Sequence, residues 1–280
     1  MTNPTVLLSG IALGESPRWH DGRLWFADWG AQELIAVDAA GAGEVVTPVS
    51  SFPFSIDWLP DGRLLVVSAE DAKLLCQEPD GTLAEYVDLA ALSEKPWNEI
   101  VVDGRGNTYV NNIGFDFPDG EVMPGIIAVV TADGVVRQVA DDVHFPNGMA
   151  VTPDNSTLIV AESYANRLTA FDIDTDGGLT NRRVWAALAD GVPDGICIDA
   201  DGAVWYADVP HHRCVRVRAG GEVLLTVDVD RGCFACMLGG HDGRTLFITA
   251  AGWPDAMNPA GPRTGQLLSV PAPAAGVGWP

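Results

Sequence analysis

The sequence predicts an all-β fold: a six-bladed β-propeller of four-stranded antiparallel blades, closed by the N-terminal strand. Two observations support this prediction, namely a phrase that recurs six times and a strand that is missing from the last repeat. The repeats extend over nearly all of the 280 residues. We therefore expect a single domain, residues 1–280, in which the repeats form one ring.

The recurring phrase is a turn built on Asp-Gly or Asp-Asn, followed at once by a short apolar run. Successive copies begin 40, 42, 51, 47 and 41 residues apart. A period of this size, with one four-stranded sheet per repeat, is typical of β-propellers. The copies begin at Asp21, Asp61, Asp103, Asp154, Asp201 and Asp242.

The fifth repeat shows how one blade is built. Short apolar or alternating runs at 195–199, 204–208, 214–218 and 222–226 are separated by turns rich in Gly and Asp. Such turns suit tight hairpins between antiparallel strands. The repeat therefore predicts four strands in one sheet.

The last repeat predicts how the ring closes. Its third strand is expected at 265–270, but the tail 271–280 is too rich in Pro and Gly to form a fourth. At the other end, Thr5–Ser9 reads as a strand that belongs to no repeat. We expect it to pair with the strand around Leu267, because this closure removes two exposed sheet edges.

The charge of the chain is strongly acidic, with 38 Asp and Glu against 16 Lys and Arg and a net charge of -22. Such a field repels phosphate backbones and anionic lipids, so we expect neither nucleic acid nor membrane as a partner. The N-terminal residues lack the pattern of a signal peptide, and no apolar run approaches membrane-spanning length. A cytoplasmic protein is expected, and the oligomeric state is left open.

The repeat also locates a ring of side chains in the central channel. The first strand of each propeller blade lines that channel, so equivalent positions near the strand starts should face one another. Counting back five to seven residues from each turn Asp gives one position per repeat. These positions are Glu15, Ser55, Asn98, Asn147, Asp194 and Cys236.

Two carboxylates and two amides in this ring are the oxygen donors that a hard divalent cation prefers. The pattern therefore predicts a metal site formed by Glu15, Asn98, Asn147 and Asp194. Without a cation, two buried carboxylates would repel each other at a cost of roughly several kcal/mol. The alternative is that these residues only cap turns, as Asn, Asp and Glu often do at strand starts.

Apolar residues precede several ring positions: Phe54, Trp97, Phe145 and Phe234. They either pack between blades or form an apolar mouth around a substrate. The sequence has no G-x-S-x-G, H-E-x-x-H, P-loop or G-x-G-x-x-G motif, and the single C-x-x-C of Cys233 and Cys236 has no partner pair. The roles of these cysteines and of the pair His211-His212 are left open.

At these residues the chain resembles the regucalcin/gluconolactonase family, which includes luciferin-regenerating enzymes and is related to diisopropyl fluorophosphatase. The resemblance covers essentially the whole chain. The opening motif runs from Gly14-Glu15-Ser16-Pro17 to Asp28, and the other two signatures are Phe145-Pro146-Asn147-Gly148 and Pro193-Asp194-Gly195. Glu15, Asn147 and Asp194 match the metal ligands of the family. Asn98 matches the Asn that completes the site or contacts the substrate.

The resemblance implies a metal-dependent hydrolase that opens a lactone or related ester. It implies one divalent ion, with calcium favoured over magnesium, manganese or zinc, as the Lewis acid. Asp194 would act as general base or, alternatively, as nucleophile. Contacts to the substrate are expected from Asn98, Trp97, Asn111, Asn112 and Phe145.

One departure from the family bears on the substrate. Members that act on sugar lactones can carry an Arg two residues before the Asn98 position, where this chain has Pro96. The change favours a more apolar lactone or ester. Two other functions remain open at this stage: hydrolysis of phosphotriesters at the same metal, and a non-catalytic propeller that binds calcium or a partner.

Overall fold

The computed structural model describes residues 3–38, 40–253 and 261–280. Their strands form six antiparallel sheets, which we call blades one to six in chain order. The innermost strand of each blade packs against those of the blades before and after it, and the sixth returns to the first. The prediction of a six-bladed β-propeller is confirmed.

Each blade consists of four consecutive antiparallel strands, except that the sixth takes its outer strand from the N-terminus. Blades one to three comprise β2 (Gly14–His20), β3 (Arg23–Asp28), β4 (Glu33–Val37), β5 (Gly43–Pro48); β6 (Phe54–Trp58), β7 (Leu64–Ser68), β8 (Lys73–Gln77), β9 (Leu83–Asp88); and β10 (Trp97–Val102), β11 (Thr108–Asn112), β12 (Gly125–Val130), β13 (Val136–Val143). Blades four to six comprise β14 (Pro146–Val151), β15 (Thr157–Glu162), β16 (Arg167–Ile173), β17 (Leu179–Ala187); β18 (Pro193–Asp199), β19 (Val204–Asp208), β20 (Arg213–Val217), β21 (Val223–Asp228); and β22 (Gly232–Gly239), β23 (Thr245–Ala251), β24 (Gly265–Pro271) with β1 (Thr5–Ile11).

The recurring Asp residues fix the first hairpin of most blades. In blade two, Oδ1 of Asp61 accepts a hydrogen bond from the backbone N–H of Arg63 at 3.1 Å. The following Gly62 has a φ of 86°, a conformation that Gly adopts without strain. Blade five differs slightly, because Asp199 and not Asp201 is the capping carboxylate. The recurring Asp therefore caps the first hairpin in blades two, three, four and six, whereas in blade one Asp21 and Gly22 both adopt positive φ values.

Burial decreases from the channel outwards. All six residues of β10 are buried, whereas β5 has no buried residue. The inner strands are enclosed by neighbouring blades, so their sequences are apolar almost throughout, while outer strands face water on one side. A polar side chain on an inner strand is therefore placed where it must be paired or functional.

The N-terminal strand closes the ring as expected. β1 pairs antiparallel with β24, with Thr5 opposite Ser269 and Leu8 opposite Leu267. The tail indeed supplies no fourth strand to blade six. It forms instead a two-residue strand, β25 (Gly276–Val277), which pairs with the end of β18.

The tail continues across the channel mouth opposite the ring positions. Trp279 pairs with Val151 of blade four through two backbone hydrogen bonds of 2.6 and 3.0 Å. A Cβ on Gly278 would lie 2.3 Å from the carbonyl oxygen of Val151, so only Gly permits this approach. The tail thereby lines a pocket of 530 Å³ at this mouth, which we call the tail-side pocket.

Outside the strands, Ser163–Ala165 forms one turn of 3-10 helix. No helix among the described residues has the length and apolar character needed to cross a membrane.

Candidate metal centre

The four predicted ligands occupy equivalent places in the fold. Each is the second residue of the innermost strand of its blade: Glu15 in β2, Asn98 in β10, Asn147 in β14 and Asp194 in β18. Because these strands surround one channel, their second residues converge at one mouth. Cys236 is different, because β22 begins four residues before it, and the side chain lies deeper in the channel beside Gly195.

Irregular pairing accompanies the ligands. The register between the first two strands shifts at or directly after the ring residue in blades one, three, four and five. Blade two, whose ring residue is Ser55, pairs regularly. Since β-bulges redirect side chains and are frequent beside active sites, these shifts aim the candidate ligands at the channel axis.

The two candidate carboxylates stand in an environment that opposes their ionisation. Burial raises the pKa of Glu15 well above its usual value, and the charges of Asp194 and Glu99 raise it further. Burial likewise raises the pKa of Asp194 well above its usual value, with Glu99 adding to the shift. Protein groups alone therefore do not balance this cluster of negative charge.

One carboxylate oxygen of Asp194 lacks a hydrogen-bond partner among the described residues. The residue keeps some exposed surface, but its Oδ1 atom is buried and has no hydrogen-bond partner among the described residues. The side chain of Asn147 does interact with this carboxyl and lowers its pKa in part. An unpartnered buried carboxylate oxygen is costly, and a cation would satisfy it.

The side-chain amide of Asn98 is held in one orientation by the hydrogen bond that its nitrogen atom donates. Nδ2 of Asn98 donates to the carbonyl oxygen of Pro146 at 3.3 Å, which leaves its Oδ1 as the acceptor for another group. Among the described residues no three His, Cys, Asp or Glu side chains are arranged as metal ligands. A metal site here therefore depends on the amide oxygens, and the donor set of two carboxylates and two amides fits a hard cation.

Asn111 and Asn112 do not have free polar groups for a substrate. Nδ2 of Asn111 donates to the backbone oxygen of Asn147 at 2.7 Å, and its Oδ1 accepts from the N–H of Glu99 at 3.2 Å. Asn112 donates to the carbonyl oxygen of Lys95 and accepts from the N–H of Gly114. Both side chains are buried, so we assign Asn111 to positioning two channel strands and Asn112 to holding a loop.

A pair of buried charges below the ring escaped the sequence analysis. Nη2 of Arg18 donates to Oε1 of Glu99 at 3.0 Å and to the carbonyl oxygen of Ile100 at 2.6 Å. Ser16 Oγ donates to the same Glu99 oxygen at 3.0 Å. Charged residues on otherwise apolar inner strands were the signal in the sequence, because charge at such positions requires a partner.

This pair also determines the charge of the site. Glu15, Asp194 and Glu99 bring three carboxylates, and Arg18 brings one compensating positive charge through Glu99. Arg18 also faces Asp57, and neither Glu15 nor Asp194 forms an ion pair among the described residues, so their charge is available for a cation. Below them, Arg18, Glu99 and Cys236 help to line a void of about 10 Å³, enough for about one water molecule.

Of the apolar residues that precede ring positions, only Phe145 faces outwards. Phe54, Trp97 and Phe234 are 0%, 0% and 3% exposed. Successive side chains of a strand point to opposite faces, so the neighbours of inward ring residues point between the blades. We therefore assign Trp97 to the core and withdraw its expected contact with the substrate.

Phe145 escapes this alternation because it lies just before β14 with a φ of 51°. Its ring stacks on that of Tyr164 with centroids 4.6 Å apart and meets Phe117 edge-on at 5.3 Å. Phe115 packs behind this group. These four side chains form an aromatic wall next to Asn147, and of them only Phe145 was expected from the sequence to contact a substrate.

The sequence left open the roles of the histidine pair and of the cysteines. Nδ1 of His211 lies 2.8 Å from Oδ1 of Asp208, and its Nε2 lies 3.6 Å from Oδ2 of Asp190, both on blade five. All five cysteines are free and buried. Most of the loop 252–262, including residues 254–260, lies outside the described residues. Metal binding by the four ring residues stays a prediction.

Known proteins resemble the chain over most of its length. The model of the SMP-30/gluconolactonase/LRE-like region matches residues 13–252. Regucalcin of Danio rerio is 30% identical over 257 residues, which cover 85% of this chain and 83% of that protein. Pentonolactonase XacC of Haloferax volcanii is 26% identical over 258 residues, covering 90% and 86%.

A solved structure, the calcium-binding protein regucalcin of Agrobacterium tumefaciens, superposes with a TM-score of 0.80 at 23% identity, covering 99% of this chain and 95% of that one. At this identity the likeness shows a common fold. The family model matches residues 13–252, and the six-bladed propeller agrees with this match. The chain belongs to the SMP-30/gluconolactonase/LRE-like family.

Proposed function

We propose that this protein is a divalent-metal-dependent lactonase whose ion is held by Glu15, Asn98, Asn147 and Asp194. The observation that carries the proposal is the unbalanced charge at the channel mouth. The charge of Asp194 raises the pKa of the buried Glu15 carboxyl, the charge of Glu99 raises the pKa of both, and Oδ1 of Asp194 lacks a partner among the described residues. A stable fold keeps such a cluster where a cation compensates it.

The relatives support the reaction class and the metal. One is named a pentonolactonase, the family description includes gluconolactonase, and a structural neighbour is described as a calcium-binding protein. Oxygen donors with two carboxylates suit calcium, while magnesium, manganese and zinc remain alternatives for the test. A bound ion would supply Lewis-acid polarisation of the lactone carbonyl.

The residues of the chain have separate roles in this proposal. Asp194 serves both as a ligand of the ion, through the oxygen atom that lacks a protein hydrogen bond, and as the general base that takes a proton from the attacking water. Asn147 holds this carboxyl in place, and Asn111 fixes the backbone of Asn147. Arg18 balances Glu99, so that the two ring carboxylates provide the net charge for the ion.

The proposed substrate is an apolar lactone or ester. The aromatic wall of Phe115, Phe117, Phe145 and Tyr164 stands next to Asn147, and Tyr164 is 47% exposed. An alkyl substituent buried on such a surface gains about 0.8 kcal/mol per CH₂. Sugar hydroxyls would lose their hydration there, because the nearby Asn111 and Asn112 already use their polar groups.

The test is hydrolysis of a lactone panel by chelated protein to which calcium, magnesium, manganese or zinc is returned. The panel includes γ- and δ-lactones with increasing alkyl chains, gluconolactone, xylonolactone and a phosphotriester. We expect hydrolysis of lactones only with metal, and its loss in Asp194→Asn. Asp190→Asn is the matched control, since Asp190 is an exposed carboxylate in the loop before β18.

Each alternative has its own outcome. Metal-dependent turnover of the phosphotriester without any lactone would replace the proposed reaction. Tight metal binding without turnover of any substrate would favour a non-catalytic binding protein. Hydrolysis that survives chelation would remove the metal from the mechanism.

A further inference from the structure

The tail-side pocket lies at the end of the channel away from the four candidate ligands, and the proposed lactonase reaction does not use it. It is enclosed by the ends of the inner strands β2, β6, β10, β18 and β22 and by the tail residues 276–280. Its volume of 530 Å³ falls within the range of about 300–1,000 Å³ that is typical of pockets for small molecules. The residues that line it indicate which molecule would fit.

The walls of this pocket are apolar and aromatic. Trp58 from the end of β6, Trp279 from the tail and Leu238 from β22 contribute to them. The ring of His20 stacks on that of Trp58, with centroids 4.1 Å apart. A Cβ on Gly104 would lie 2.4 Å from the ring of Trp279, so this ring rests directly on the backbone. Both Trp rings are thus held in place before a ligand arrives, which lowers the entropy cost of binding.

The floor of the pocket carries a donor and an acceptor that do not satisfy each other. Arg18 and Asp57 both line the pocket, and they are 5% and 7% exposed. The Nη atoms of Arg18 are occupied by the carboxylate of Glu99 and by two backbone carbonyl oxygens, whereas its Nε is buried and finds no acceptor in the described part of the chain. Oδ2 of Asp57 lies 3.9 Å from this Nε, too far for a hydrogen bond. Because a buried donor without a partner is costly, a ligand that pairs with it gains affinity.

The charges around the floor favour an uncharged ligand. Arg18 is paired with Glu99 at 3.0 Å and faces Asp57 at 3.9 Å. Burial lowers the pKa of His20 at the pocket wall, so this ring is uncharged at neutral pH. Asp103 also borders the pocket, but its carboxylate already accepts hydrogen bonds from the turn that it caps. A ligand carboxylate would be repelled by Asp57 and an ammonium group by Arg18, whereas an amide is uncharged and carries an acceptor and a donor on adjacent atoms.

We propose that the tail-side pocket binds a small uncharged aromatic amide, whose oxygen accepts from Arg18 and whose N–H donates to Asp57. Its ring packs against Trp58 and Trp279. The site is a binding site alone, in which no bond of the ligand is formed or broken.

The test compares two probes of the same shape, 2-naphthamide and 2-acetonaphthone, in which a methyl group replaces the NH₂. Equilibrium dialysis against the full-length protein with calcium present gives both dissociation constants. We expect 2-naphthamide to bind at least about tenfold more tightly, because only the amide offers a donor to the carboxylate of Asp57. Equal affinities, or no binding of either probe up to its solubility limit, would overturn the proposal.

Variants locate the bound probe. Trp279→Ala should weaken the binding of both probes by about tenfold, and Tyr164→Ala at the other channel mouth is the matched control that should leave it unchanged. Asp57→Asn removes the charge of the acceptor and should reduce the preference for the amide, whereas Asp61→Asn in the exposed turn after β6 should preserve it. Binding that is lost in Tyr164→Ala but not in Trp279→Ala, or an unchanged preference in Asp57→Asn, would overturn the proposal.

A crystal structure of the unsubstituted protein with 2-naphthamide decides the question even where a variant folds poorly. We expect the amide oxygen within hydrogen-bonding distance of Arg18 and the ring against Trp58 and Trp279. Density for the probe only at the aromatic wall of the other mouth would overturn the proposal.

Discussion

Asp57 allows a quantitative test of the buried charges beneath the candidate metal centre. Its carboxyl is buried near the end of β6, and this burial raises the pKa of Asp57 to about 6 from an ordinary value of 3.8, although Arg18 and two backbone N–H groups oppose the shift. Those N–H groups belong to Val102 and Trp58, at 2.8 Å each. Arg18 from β2, at 3.9 Å, and Glu99 from β10 are the charged groups that face it.

The sign of the effect follows from proton binding. Between pH 3.8 and 6 the folded protein keeps the proton of Asp57 after the unfolded chain has lost it. Stability must therefore fall as pH rises through this window and stay lower above it. A shift of about two pKa units corresponds to about 3 kcal/mol, of which about 1.4 kcal/mol falls between pH 5 and pH 8.

Asp57→Asn removes this dependence because an amide does not ionise. The substitution costs stability at every pH, since Asn offers one oxygen to two N–H groups. That cost should shrink by about 1.4 kcal/mol between pH 5 and pH 8. Urea unfolding over this range measures it and stays above the sequence pI of about 4.3.

Asp61→Asn is the control, because a hydrogen bond from the Arg63 side chain lowers the pKa of the exposed Asp61 carboxyl. Asp61 is ionised in both the folded and the unfolded protein between pH 5 and pH 8, so the cost of this substitution should stay constant over the range. A free-energy difference between Asp57→Asn and the unsubstituted protein that stays constant with pH would refute the reasoning.

Two further predictions concern ring closure and the substrate wall. Deleting residues 1–9 removes most of β1 with its partly buried Leu7 and Leu8. The lost burial should lower the free energy of unfolding by about 3 kcal/mol and the melting temperature by roughly 5–10 °C. Deleting only residues 1–3 should change little, and equal melting of both deletions would contradict the closure. Tyr164→Ala should reduce kcat/KM for long-chain alkyl lactones by roughly tenfold, because about two CH₂ groups of the substrate would no longer be buried against the ring. It should leave gluconolactone turnover nearly unchanged, and an equal loss for both substrates would show that Tyr164 acts on stability or on the metal instead.

The blades and their closure were predictable because their causes are local. An Asp-Gly turn after an apolar run defines a hairpin wherever it occurs, and Thr5–Ser9 was the strand without a partner in its own repeat. The tail strand Gly276–Val277 was not predictable, because it depends on a backbone approach to another blade. A strand of only two residues is too short to show an alternation of apolar and polar side chains in the sequence.

The candidate site was predictable in position more than in detail. Counting from the turns found the inward residues, since the period fixes how far each lies from its hairpin. It did not find how neighbouring side chains point, and Trp97 was misassigned because strand alternation turns it away from Asn98. The partnership of Arg18 with Glu99 joins blades one and three, and no local pattern encodes such a contact.

Calcium titration of chelated protein by calorimetry tests the central claim most directly. We expect the unsubstituted protein and Asp190→Asn to bind one ion with similar affinity. Asp194→Asn and Glu15→Gln each remove one of two anionic ligands and should weaken binding by at least about 100-fold, with loss of lactone hydrolysis. Unchanged calcium affinity in both ring variants would place the ion elsewhere and contradict the account.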